Sequence, residues 1–202
     1  MTQTTTMQNK SEIYSILAEG LKTPTEDWVS WYNDIGREKL KSLLISFPIL
    51  DEQEVSNCLP KQLDFKEVDH LYRSYFILPG PQRVVPAESI YKQWTVRNSA
   101  FALSKGFLMG DSAEHMNNIF KELDIEIPEE FSFMPDHLIL QLELLSLLEE
   151  NGNEEFVNEF IKEHLDWTED LVAECTKKQW SGFYYLWIQL IHMFFHKECW
   201  KC

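Results

Sequence analysis

Residues that bend or break a backbone are scarce in this chain. Seven glycines and eight prolines in 202 residues are too few for the many tight turns of a sandwich or barrel. Four cysteines, Cys58, Cys175, Cys199 and Cys202, sit at uneven spacing, which argues against a disulfide scaffold. Positive charge is in short supply. Lys and Arg number 18 against 33 Asp and Glu, a formal charge of −15. Such a surface repels nucleic acid and anionic membranes and suits a basic peptide. The opening residues Met1 to Thr6 are polar and lack the apolar run of an export signal. The most apolar stretch, 183–195, is too short to span a bilayer and contains Gln189 and His192. No glycine-rich phosphate loop is present. The expectation is a cytoplasmic protein with no nucleic-acid partner, no membrane insertion and no cofactor.

What the chain does have is core material for helices. Hydrophobic residues make up 44%, and Leu, Glu, Lys, Phe and Trp dominate, most of which tolerate helix well. Residues 1–10 read as a frayed tail. Ile13, Ile16, Leu17 and Leu21 then fall at helical spacing, with Pro24 beyond them. One or two helices are expected over 26–47. Val68, Leu71, Tyr72, Tyr75 and Phe76 form one apolar stripe, ended by Leu78-Pro79-Gly80-Pro81. The three prolines and the glycine of 79–86 exclude regular structure there. A helix resumes near Glu88. Asp111 with Glu114 has the capping-box pattern. Ile127-Pro128-Glu129-Glu130 reads as a linker. Helices follow from Pro135 to a glycine-capped end at Asn151-Gly152-Asn153, around Phe156 to Ile161, from Trp167, and from about Gly182. The fold class predicted is all-α, with residues 1–202 as a single helical domain. Its two halves, about 11–124 and about 135–200, meet at a hinge near 125–134.

Three constellations could carry chemistry. In Met134-Pro135-Asp136-His137-Leu138, proline suits a first helical turn and Asp136 suits a helix N-terminus. The pair is either a helix start with a locally bonded His137 or an acid and an imidazole offered to a bound arginine. A hydrolase built on the pair would need a nucleophile or metal, and the sequence nominates none. Adjacent helical side chains also diverge by about 100°. The second constellation joins Tyr75-Phe76 to the Pro-Gly-Pro loop and Pro86-Ala87-Glu88-Ser89-Ile90-Tyr91, either a core stripe with a loop or an aromatic wall for a peptide. The third is the tail. His192, His196 and Cys199 share one helical face and Cys202 lies off its edge, at zinc-like spacings. The plainer reading of the tail is a buried helix with hydrogen-bonded imidazoles. A metal-binding regulator or carrier built on it is the alternative function.

The first two constellations, with Met109-Gly110-Asp111-Ser112 between them and Leu142-Glu143-Leu144 after them, resemble the TorD/DmsD/NarJ family of redox enzyme maturation proteins over about residues 68–200. The resemblance implies an all-helical cytoplasmic chaperone, not an enzyme. Such proteins bind the twin-arginine leader of a molybdopterin oxidoreductase catalytic subunit. They assist cofactor insertion and folding before export. It implies that Pro135, Asp136 and His137 are leader-binding, together with Tyr75, Phe76, Pro86, Glu88, Ser89 and Tyr91. It also implies domain-swapped homodimers in some members, here through 125–134. Two departures stand out: apolar Phe133 replaces an acid that many members have before Asp-His, and the 79–86 loop lacks the tryptophans of some members.

Overall fold

The computed structural model describes residues 2–93, 95, 104–152 and 154–198. Among these there is no strand, and the all-α expectation holds. Helix α1 (Thr2–Glu19) begins far earlier than Ser11, so the expected frayed tail is helical instead. The 26–47 region is one helical path with a π-helical turn in its middle: α2 (Glu26–Trp31), the turn Tyr32–Gly36, then α3 (Arg37–Ile45). Thr25 caps α2 by accepting from the Trp28 amide. Helix α4 (Glu52–Cys58) is capped by Asp51, which accepts from the amides of Gln53 and Glu54.

Helix α5 (Phe65–Tyr72), capped by Asp64, runs into a second π-helical turn, Arg73–Ile77. The wider turn changes what the apolar stripe faces. Tyr75 is turned into the core and stacks on Trp180 at 4.1 Å. Phe76 lies edge-on to Trp180 and Tyr184, at 5.2 and 5.1 Å. Ile77 and Leu78 stay exposed. The 79–86 loop is irregular, as its prolines require. It is pinned by Trp180 Nε1 donating to the Gln82 carbonyl (2.7 Å) and by the Val84 amide donating to the Tyr75 carbonyl (2.8 Å).

The helix expected near Glu88 is a single turn, α6 (Glu88–Tyr91). Helix α7 (Asp111–Glu122) is capped at Gly110 rather than Asp111, so the capping box does not form. The Asp111 carboxylate accepts from Thr95 instead. A 3₁₀ turn, Glu129–Phe131, occupies the expected linker. Helix α8 (Leu138–Glu150) starts three residues later than Pro135, with His137 as its N-cap. Gly152 closes it with φ of 74°, where glycine is favoured. Helices α9 (Glu154–His164), α10 (Thr168–Lys177) and α11 (Gly182–Glu198) complete the described residues.

One hydrophobic core extends from Ile13 to Phe195 and draws on both halves of the sequence. Helix α1 lies along α8, while α11 packs on α4, α5 and α10. At the end of α1, Trp187 Nε1 donates to the Leu17 carbonyl (3.0 Å), satisfying a terminal acceptor. The indole passes so close to Gly20 that any Cβ there would overlap it. None of the described helices is long and apolar enough to cross a membrane.

Candidate peptide groove and the polar node behind it

The two segments that carry the sequence resemblance meet in space. Ala87 and His137 form an isolated antiparallel bridge. The Leu138 amide donates to the Pro86 carbonyl (2.9 Å), and the Glu88 amide donates to the Asp136 carbonyl (3.1 Å). This crossing separates two regions. In front of it lies a groove of about 480 Å³. Behind it lies a cluster of buried polar groups.

One wall of the groove is Tyr72, Phe76 and Ile77, with Val84 to Pro86 beside them. The facing wall is Phe131, Met134 and His137, and Ile139 and Leu21 also line the cavity. Glu130 and Arg83 stand among the lining residues. Arg83 Nε is committed to the Phe76 carbonyl (3.2 Å). The groove is apolar with few charges, the character of a site for hydrophobic side chains.

Of the residues expected from sequence, Phe76, Pro86 and His137 line this groove. Tyr75, Pro135, Glu88, Ser89, Tyr91 and Asp136 are buried and do not. Tyr91 stacks on Trp167 at 5.1 Å, and burial pushes its hydroxyl above the ordinary range. Sequence reasoning missed Phe131, Met134 and Ile139. Phe131 lies within the expected hinge, Met134 stands out only as the residue before Pro135, and Ile139 is one apolar residue in a long apolar run.

Asp136 and His137 do not act as one pair. The Asp136 carboxylate is fully buried, and its Oδ2 accepts from the Ser89 amide at 2.6 Å. It thereby caps α6 from outside, since Ala87 at the cap position offers no side-chain acceptor. Burial pushes the carboxyl above its usual range, opposed by the Ser89 amide. The His137 Nδ1 accepts from the Ile139 amide (3.2 Å) and so caps its own helix. Burial holds the ring down to about 3, so it is neutral at pH 7. With Nδ1 accepting, the proton of the neutral ring is on Nε2. No acceptor on His137 remains for an arginine.

The node behind the bridge centres on Glu88, 1% exposed. Its Oε2 accepts from Gln141 Nε2 (2.6 Å) and pairs with His164 Nδ1 (2.8 Å), while Oε1 pairs with Lys92 Nζ (2.9 Å). A buried carboxylate is tolerated when donors surround it in this way. In the tail, the His192 and His196 rings lie 4.0 Å apart and tilted by 56°, and His192 Nδ1 lies 3.2 Å from Thr168 Oγ1. Burial, with the neighbouring His196, holds His192 down to about 4. Cys199 and Cys202 lie outside the described residues.

Comparison with known proteins supports this reading of the fold. The family profile described as nitrate reductase delta subunit matches residues 38–182. A crystal structure of a candidate redox enzyme maturation protein from Archaeoglobus fulgidus superposes with a TM-score of 0.52. It covers 95% of this chain and 94% of its own, at 19% identity. No curated protein matches the sequence.

Proposed function

The chain belongs to the nitrate reductase delta subunit family, the NarJ/TorD-type redox enzyme maturation chaperones, and from that membership we propose a specific client interaction. The protein binds the twin-arginine leader of a molybdopterin oxidoreductase catalytic subunit in the cytoplasm. It holds that subunit for cofactor insertion and folding before export, and it works by binding rather than by catalysis. The observation that carries this reading is the groove at the Ala87–His137 bridge, where both family-like segments converge.

Apolar leader residues fill the space between Phe76 and Phe131. The neutral His137 offers at most an N–H to a peptide carbonyl. The leader arginines therefore pair with carboxylates at the rim, of which Glu130 is one, where the guanidinium fork can be satisfied. Asp136 contributes by fixing the bridge and not by touching the leader. Exchange of halves through 125–134, giving a swapped homodimer, belongs to the same proposal.

Calorimetry against a synthetic leader tests it, with a Lys-Lys peptide as control. One-to-one binding that prefers arginine and fades with salt is expected. Phe131→Ala should weaken it about tenfold or more, or about 1.4 kcal/mol. Unchanged affinity in that variant, with its helicity intact, would move the site away from this groove.

A further inference from the structure

Beyond the groove, one cluster on the far side of Glu88 has the composition of a metal centre. His164 and Glu163 end α9, and His115 projects from α7. One ligand atom from each lies within 4.8 Å of the other two. His164 Nε2 is 3.0 Å from His115 Nδ1, and His115 Nδ1 is 3.5 Å from Glu163 Oε1. Ligand atoms around a tetrahedral zinc, with bonds of about 2.0–2.2 Å, stand roughly 3.4 Å apart. Small side-chain movements bring this set to that spacing.

We propose that His115, Glu163 and His164 bind a divalent transition-metal ion, Zn²⁺ by preference, with Glu88 as the group that orients the buried ligand. The support is the arrangement around His164. Its Nδ1 faces the buried Glu88 carboxylate at 2.8 Å. The N–H is therefore committed inward, and the Nε2 lone pair is aimed outward at His115. A metal-bound histidine is held in the same way, by a carboxylate on its second nitrogen. Glu88 is itself fixed by Gln141 and Lys92. Lys92 also bonds the Glu163 carbonyl and Asp166, which anchors the last turn of α9. That single ammonium faces two carboxylates, Glu88 and Asp166, and the Glu163 carboxylate lies beside His115, so the neighbourhood stays negative and receptive to a cation.

Access supports an exchangeable ion. His164 is 2% exposed, while His115 and Glu163 are 47% and 62% exposed. The ion enters from solvent and rests against a rigid inner ligand. Three protein ligands leave a fourth position to water or to a donor from a bound partner. Two imidazoles and a carboxylate select zinc, cobalt or nickel over magnesium or calcium. Bound metal would join α7 to α9 and raise stability by mass action.

The test uses the full chain with Cys199→Ser and Cys202→Ser, which removes the tail thiols. Chelator-treated protein is titrated with Zn²⁺ by calorimetry, and Co²⁺ is followed by its visible absorption. One ion per chain is expected, with a rise in thermal midpoint. His115→Ala, an exposed change that spares the Glu88–His164 pair, should weaken binding at least tenfold and abolish the rise. Glu163→Gln should weaken it less. Failure of the chain lacking the tail thiols to bind one equivalent would overturn the proposal. Equal affinity in the His115→Ala form would overturn it too, since the ion would then sit elsewhere.

Discussion

The groove and the polar node lie back to back across the Ala87–His137 bridge, and they are built on opposite terms. The groove presents apolar side chains that are only partly covered, Phe76, Phe131 and Met134 among them. The node hides charged and polar groups and satisfies its central carboxylate with donors from three elements. His137 belongs to the first region and Asp136 to the second, although they are neighbours in the chain. A motif of two adjacent residues thus serves two purposes. One residue lines the groove, and the other holds the bridge at its edge in place. Truncation in the node should therefore cost stability, while truncation in the groove should cost binding.

The largest effect is expected at Glu88. Glu88→Leu strands His164 Nδ1 and Gln141 Nε2 without their shared acceptor, while Lys92 keeps Asp166. Removing one partner from a buried ionic network costs about 3–5 kcal/mol. Urea denaturation measures it, and a loss below about 1 kcal/mol would show that water, not Glu88, serves those donors. Asp136 comes next. Asp136→Ala leaves the Ser89 amide without its acceptor, at a cost of about 1–3 kcal/mol. Asp136→Asn keeps an oxygen there and drops the buried charge, so it should restore most of the loss. The wild-type carboxyl is raised by burial, so the folded state holds its proton more tightly than the unfolded state. Stability from this group is present at low pH and lost as pH rises through the raised value. The asparagine form should gain on wild type over that climb. If alanine and asparagine were equally harmful, the Ser89 contact would not be what matters.

The helices were legible because their signals are periodic and local. The stripe of Val68 to Phe76, the cap glycine at 152 and the acids opening α10 each sit within a few residues of what they control. The node was not legible. Glu88, Lys92, His115, Gln141 and His164 are single polar residues scattered over the chain, and Gln141 stands inside a leucine run. Nothing periodic joins them, and only tertiary packing does. The π-helical turn at Arg73–Ile77 was hidden for a related reason. An apolar stripe specifies that residues face inward, not that one turn is wider than the rest. The groove fell between these cases. Phe76, Pro86 and His137 came from the family resemblance, whereas Phe131 lies in the expected hinge, whose composition resembles any linker.

The smallest effect at neutral pH, and the sharpest separation of the two regions, is expected at His137. Its Nδ1 caps α8, and asparagine is among the best caps, so His137→Asn should change stability by less than about 1 kcal/mol at pH 7. The variants diverge in acid. Burial holds the folded imidazole down to about 3, against about 6.5 in an unfolded chain. Between those values the unfolded state binds the extra proton, so stability rises with pH across the window. Its contribution is complete above about 6.5 and drains away as pH falls toward 3, by up to about 1.4 kcal/mol per pH unit. Asparagine has no such proton. Groups elsewhere titrate in both proteins and drop out of the difference. His137→Asn should therefore gain on wild type between pH 7 and pH 4.5 in urea denaturation, in the direction opposite to Asp136→Asn. A constant difference across that range would mean that the His137 ring is hydrated in the groove and free to take up a proton while folded. The groove would then carry a titratable charge at its wall, and arginine recognition would weaken as pH falls.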